Sequence, residues 1–262
     1  ILKKDLPNIY MLSFNINKNT FLASKENRLF LNNLINKDDL INNVLGNYYS
    51  KEDVFLPTDT NKYYINTEGK KDIIKNTEIN ISTIDTNETK KVAEKIKEYF
   101  ENNGIITNIN LYSINDLNDI IKNRNFEILL YGSIIEKDIG LYSFWHSSQR
   151  TAPGMNITNY VSKKLDENLI LLKDEVNKEK RKQLLINIEE ELLKEMPAIP
   201  LYSSNFNYII KTKNILNEIE NKIPEKLDNK SERFININEW YKKEESVWSF
   251  SYNKKLIEKL SN

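Results

Sequence analysis

Residues 78–131 alternate strand, helix, strand, helix and strand at short spacing, and this run restricts the fold more than any other stretch of the chain. Residues 78–83, EINIST, show the two-residue apolar period of a strand. Thr86 and Asn87 lead into a helix from Glu88, with Val92, Ile96, Tyr99 and Phe100 spaced for one buried face and Asn103-Gly104 ending it. Residues 105–111, IITNINL, predict a second strand. Residues 116–122 predict a short helix bearing Leu117, Ile120 and Ile121, and 126–131 a third strand. Such spacing marks βαβ units around a largely parallel sheet. The right-handed crossover rule is expected to put both helices on one face of this local sheet, with other helices covering the opposite face.

The flanks supply further elements. Residues 8–17 predict a strand between Pro7 and Asn/Lys-rich turns. Ser24 is placed to cap a helix with Leu29, Phe30, Leu34 and Ile35 on one face. A short helix follows from Lys37, with Gly46 as its left-handed cap. Residues 48–76 read as a long surface loop with a short strand at 63–65. Downstream, Ser162 and Asn177 are placed to cap two helices. Leu165, Leu169 and Leu172 stripe the first; Leu184, Leu185, Ile188, Leu192, Leu193 and Met196 stripe the second, which Pro197 stops. The charged runs 177–182 and 189–191 are expected to be solvated faces. Residues 199–203 and 206–211 predict two strands.

Residues 129–160 concentrate chemistry. This stretch leaves a strand near Gly132 and gathers Glu136, Asp138, the only histidine (His146), Trp145, several Tyr and Phe side chains, Pro153-Gly154 and Asn156. Loops at the carboxyl ends of strands are where open α/β sheets place ligands. Tyr142 and Trp145 would supply an apolar wall, although large aromatics after a strand are more often core. His146 has no cysteine or second histidine to share a transition metal, and it has no nucleophile elbow, so it reads as a structural hydrogen-bonder or a site rim. Asn156 either presents its amide to a cleft or closes an Asx turn.

Bulk properties remove several function classes. Lys plus Arg and Asp plus Glu number 38 each, so no net field draws the chain to nucleic acid. The chain has no cysteine, which excludes disulfides, thiol catalysis, zinc–thiolate sites and iron–sulfur clusters. No cofactor is expected. Its 262 residues allow one or two domains. No apolar run approaches the roughly 18 residues of a membrane span. The chain opens Ile1-Leu2-Lys3 without Met, and a fragment or processed chain is expected.

Three segments together resemble the family 5 extracellular solute-binding proteins, the peptide- and nickel-binding receptors of ABC importers. Residues 12–46 look like that family's "fN…pf.d.rvR.Al" stretch. Residues 82–132 close with FEILLYG, similar to its "fe.lLyG". Residues 145–202, WHSSQ…PGMN…MPAIPLY, are similar to "WHSsq…GxN…e.Pa.PLy". The resemblance implies a periplasmic-binding-protein-like type II lobe with a mixed sheet flanked by helices. It implies a ligand-binding lobe over 1–201 and a segment, 202–262, returning to a missing first lobe earlier in the same receptor. It further implies reversible capture of a short peptide between the lobes, delivery to an ABC-transporter permease, no catalysis, and a place at the extracellular face of the membrane or in the periplasm, as for a lipoprotein. By the same resemblance Asp138, and next to it Glu136, would meet the peptide ammonium through a charge-assisted bond. Two departures stand out: residues 138–141 lack the family's D-P-D-P prolines and second acid, and Ser133 stands where many members have Trp. Nickel or another small solute, or hydrolysis on an α/β scaffold, are the competing readings.

Overall fold

The computed structural model describes residues 2–56, 77–134, 140–209, 230–234 and 237. Among these, a mixed sheet of seven strands is flanked by helices. The chain opens with β1 (Leu2–Asp5) and β2 (Asn8–Phe14). Then come α1 (Thr20–Ala23), α2 (Lys25–Leu34), α3 (Lys37–Asp39), a π-helical turn at Leu40–Leu45 and β3 (Tyr49–Lys51). The predicted alternation follows as β4 (Glu78–Ile84), α4 (Asn87–Glu101), β5 (Ile106–Tyr112), α5 (Ile114–Lys122) and β6 (Ile128–Ile134). The last large elements are α6 (Gly140–Trp145), α7 (Lys163–Asp174), α8 (Lys178–Glu195) and β7 (Ala198–Tyr208).

Capping chemistry sets the helix starts. Ser24, Thr86, Ser113, Ser162 and Asn177 each accept a backbone N–H from the first turn of α2, α4, α5, α7 and α8, relieving donors that have no partner within the helix. At the far end of α8, Met196 takes a left-handed conformation and returns its N–H to Leu192, just before Pro197. Gly46 has the expected positive φ of 77°, but its ψ of −167° lies outside the left-handed helical well.

The sheet runs β1-β7-β2-β6-β4-β5, with β3 beside β7. β4 pairs in parallel with both β5 and β6, so the expected βαβ units are present. Their helices, however, lie on opposite faces rather than on one. Ile79, Ile81, Ile128 and Leu130 join Val92, Ala93, Ile96 and Phe100 of α4 in the main core. Ile84, Tyr112, Leu129 and Tyr131 pack instead with Leu117, Ile120 and Ile121 of α5. The physical reason is strand order. β5 is laid on one side of β4, and β6 then crosses back to the other side. A right-handed connection running in the reverse direction carries its helix to the reverse face.

Three further expectations are corrected. The two strands predicted after Pro197 are one, β7, of 11 residues. Its polar middle, Ser203 to Asn205, stays in the ladder because β3 and β1 pair with it where β2 stops. The shift of register between Tyr10 and Met11 opposite Pro200 absorbs the missing N–H of that proline. β7 remains in the sheet to Tyr208. Second, the run 189–191 is not a solvated face: Glu189 and Glu191 are buried. Third, the loop expected from Tyr48 begins with β3, and Phe55 and Leu56 are fully buried against the main core. The strand expected at 63–65 lies outside the described residues.

Candidate functional site

β6 continues through Gly132 to Ile134 rather than ending at the glycine. Gly132 is required by a close approach. A Cβ there would stand 2.7 Å from the Tyr10 ring, which lies across β6 and stacks on Tyr202 at 4.5 Å. Asp138 and Glu136, the two acids expected to meet a ligand amine, lie outside the described residues.

The other four candidates fall within a tightly built cap made of α6, a 3-10 turn at Ser147–Gln149 and the loop to Tyr160. Trp145 is not an open wall. It is 3% exposed and meets Phe55 edge-on at 5.3 Å, a core contact. Tyr142 is half-buried, stacks on His146 at 4.2 Å and has its hydroxyl 3.3 Å from Ser148 Oγ. His146 caps the 3-10 turn: its Nδ1 accepts the Ser148 N–H at 3.1 Å and lies 2.9 Å from Ser148 Oγ. Its Nε2 is 3.9 Å from Asp166, whose carboxylate is already held by the N–H and hydroxyl of Ser147. A Ser, a His and an Asp therefore meet here, but the imidazole lone pair that would serve as base is taken up by a backbone cap. Asn156 has no exposed surface. Its amide donates to the carbonyls of Trp145, His146 and Tyr160, and its oxygen accepts from Thr158 Oγ1, so it pins the loop to itself rather than reaching a cleft.

What this cap does offer is one side of a groove of about 460 Å³. Tyr131 and Ser133 of β6 form its floor, Ile121 and Lys122 of α5 one bank, and Phe144 with Ala152, Pro153, Gly154, Met155 and Ile157 the other. The volume lies within the range of small-ligand pockets. Arg124 ties the banks together: Nη1 donates to Ile121 O at 2.6 Å, Nη2 to Gly154 O at 2.6 Å and Nε to Arg150 O at 3.1 Å. Burial draws its pKa below the usual guanidinium value, but arginine stays charged. Gly154 is forced by packing, since a Cβ there would come within 2.3 Å of Gln149 O. Gly154→Ala is therefore expected to cost roughly 1–3 kcal/mol in urea unfolding, because a backbone oxygen cannot swing aside as a side chain would. An unchanged midpoint would show that the loop has room the geometry denies it.

Eight of the twelve lining residues lie in the 129–160 stretch singled out from the sequence, whereas the bank from α5 and Arg124 was not foreseen, because it belongs to a separate element brought alongside by the crossover. Among the described residues no group of three or more His, Cys, Asp or Glu side chains is placed to hold a metal, and no helix is long and apolar enough to cross a membrane.

The fold is that of part of the solved ABC-importer solute-binding proteins. The ABC transporter-associated periplasmic binding protein DppA of Helicobacter pylori, solved with the peptide STSA, matches 78% of this chain at 22% identity and a TM-score of 0.67, over 44% of its own length. NikZ of Campylobacter jejuni, solved with Ni(L-His), matches 78% at 20% identity and 0.66, over 46% of its length. AppA of Bacillus subtilis, solved with a nonapeptide, matches 84% at 18% identity and 0.63, over 51% of its length. The chain thus spans about half the length of the solved receptors it matches. No protein-family model and no curated protein sequence matches it. At these identities the likeness establishes the fold, which is the one the sequence resemblance implied.

Proposed function

We propose that this chain is the second lobe of a solute-binding receptor that closes with a first lobe on a short peptide and hands it to an ABC-transporter permease outside the cytoplasmic membrane. The observation carrying this reading is the fold: most of the chain superposes on half of receptors solved around peptides or a nickel–histidine complex. A groove beside the carboxyl-terminal half of β6 supports it, because hinged receptors grip their solute at strand ends facing the partner lobe. The segment beyond Tyr208 is proposed to leave the lobe for the first one. Peptide is favoured over nickel because the chain's only histidine spends Nδ1 on a helical cap and stacks on Tyr142. Reversible binding is favoured over hydrolysis for the same reason.

In the full two-lobe receptor, Asp138 is proposed to meet the peptide ammonium, with Glu136 beside it. Asp138→Asn is expected to weaken free-amine peptides by about 1.5–3 kcal/mol, the worth of a hydrogen bond to a charged group, and N-acetylated peptides far less. Titration calorimetry with both series decides it. Equal losses would remove the amine contact from Asp138, and a loss confined to Glu136→Gln would transfer it. Tight binding of nickel–histidine with no response to any peptide would overturn the peptide reading.

A further inference from the structure

Resting on the receptor reading above, we propose that the groove between α5 and the 152–157 loop is a specificity subsite. It takes the bulky apolar side chain of a peptide's carboxyl-terminal residue, with Lys122 meeting the terminal carboxylate. The argument begins with the lining. Ile121, Tyr131, Phe144, Met155 and Ile157 present carbon to the cavity. A surface of this kind gains free energy only by covering apolar area. Its about 460 Å³ accommodates one large side chain with the backbone that carries it, and is too small for a helix or a protein surface.

Charge sets the orientation of the occupant. Arg124 borders the groove, but three of its five N–H donors are spent on carbonyls of the two banks, so it serves as a brace. Lys122 is exposed on the rim and is the remaining cation of the lining. A ligand group with an apolar body and an anionic end matches this pairing, and the carboxyl-terminal residue of a peptide is such a group. Asn118 and Ser133, also in the lining, supply hydrogen-bonding groups for the flanking amide. Because Arg124 and the closely packed Gly154 hold both banks, the groove exists before a ligand arrives, and little ordering entropy opposes filling it. The size of Ser133 keeps the floor low; a large side chain there would fill the space.

The test uses the full receptor with both lobes and four peptides of one sequence, ending in Phe or Ala, each as free acid and as amide. Calorimetry on the wild type is expected to favour Phe over Ala by roughly 10- to 100-fold and acid over amide by several-fold. Ser133→Trp, which fills the groove, and Met155→Glu, which puts a charge on its exposed wall, should each bring the Phe-to-Ala ratio within about threefold. Lys122→Ala should abolish the acid-over-amide preference. Circular dichroism identifies any variant that fails to fold, and the exposed position of Met155 keeps that arm readable. Peptides that bind the wild type with no Phe preference, or a preference that survives both groove variants, would overturn the subsite while leaving the receptor reading intact. Failure of every peptide to bind the wild type would overturn both.

Discussion

Arg28→Ala is expected to destabilise the lobe by about 3–5 kcal/mol, the range for removing one partner of a buried charged network. Arg28 lies on α2, is 3% exposed, and sends its guanidinium to four carbonyl oxygens. Nη1 donates to Leu22 O and Ala23 O at 2.9 Å each, at the end of α1. Nε donates to Met196 O at 2.9 Å and Nη2 to Glu195 O at 2.6 Å, at the end of α8. One cation thus closes two helix carboxyl termini, where partial negative charge collects and carbonyls lack helical partners. Burial lowers its pKa, with the nearby Glu195 opposing that shift, and the group remains charged. Arg28→Lys is expected to recover less than half of the loss, since a single ammonium cannot satisfy four acceptors spread over a planar fork. Urea unfolding at unchanged m-value measures both variants. A loss below about 1 kcal/mol for Arg28→Ala would mean that water replaces the guanidinium without penalty.

Glu189→Ala is expected to cost a similar amount, about 3–5 kcal/mol. This carboxylate on α8 has 0% exposure, and its two oxygens accept the N–H groups of Phe55 and Leu56 at 2.8 Å each. Those residues are themselves buried, so the bonds fasten the segment after β3 to the main core. Alanine strands two buried donors. Glu189→Gln keeps one acceptor and turns an NH₂ toward the other donor, so roughly 1.5–3 kcal/mol is expected. Hydrogen exchange gives the sharper readout: protection at the Phe55 and Leu56 amides should fall well before that of β4 or β6. Equal loss of protection everywhere would show that Glu189 supports the whole lobe rather than this segment.

These two residues show where local reading of the chain stops. Arg28 sits in a helix whose apolar side was assigned to Leu29, Phe30, Leu34 and Ile35. Leu31 and Arg28 are also buried there, because the ends of α1 and α8 close over that side of α2. Glu189 and Glu191 belong to an acidic run that, taken alone, belongs in water. Glu189 is inside because Phe55 and Leu56 bring backbone donors to it, and Glu191 because the hydroxyls of Tyr160 and Ser162 donate to it. The same holds for Trp145, His146 and Asn156. Their types suggest a binding surface, and their partners, Phe55, Ser148 and the carbonyls at 145, 146 and 160, make them the frame of one.

Strand and helix identities were largely written in short-range chemistry. Two-residue and helical periods, the caps at Ser24, Ser162 and Asn177 and the stop at Pro197 depend on neighbours within a few positions, and they placed β2, β4, β5, β6, α2, α4, α5, α7 and α8 to within a few residues. Strand order, the face each crossover helix takes, the continuity of β7 and the assembly of the groove from α5, β6 and a later loop depend on partners as far apart in the chain as Leu2 and Tyr208. No local pattern encodes those partners. They emerge only when burial of apolar faces and satisfaction of buried donors are solved for the whole chain at once.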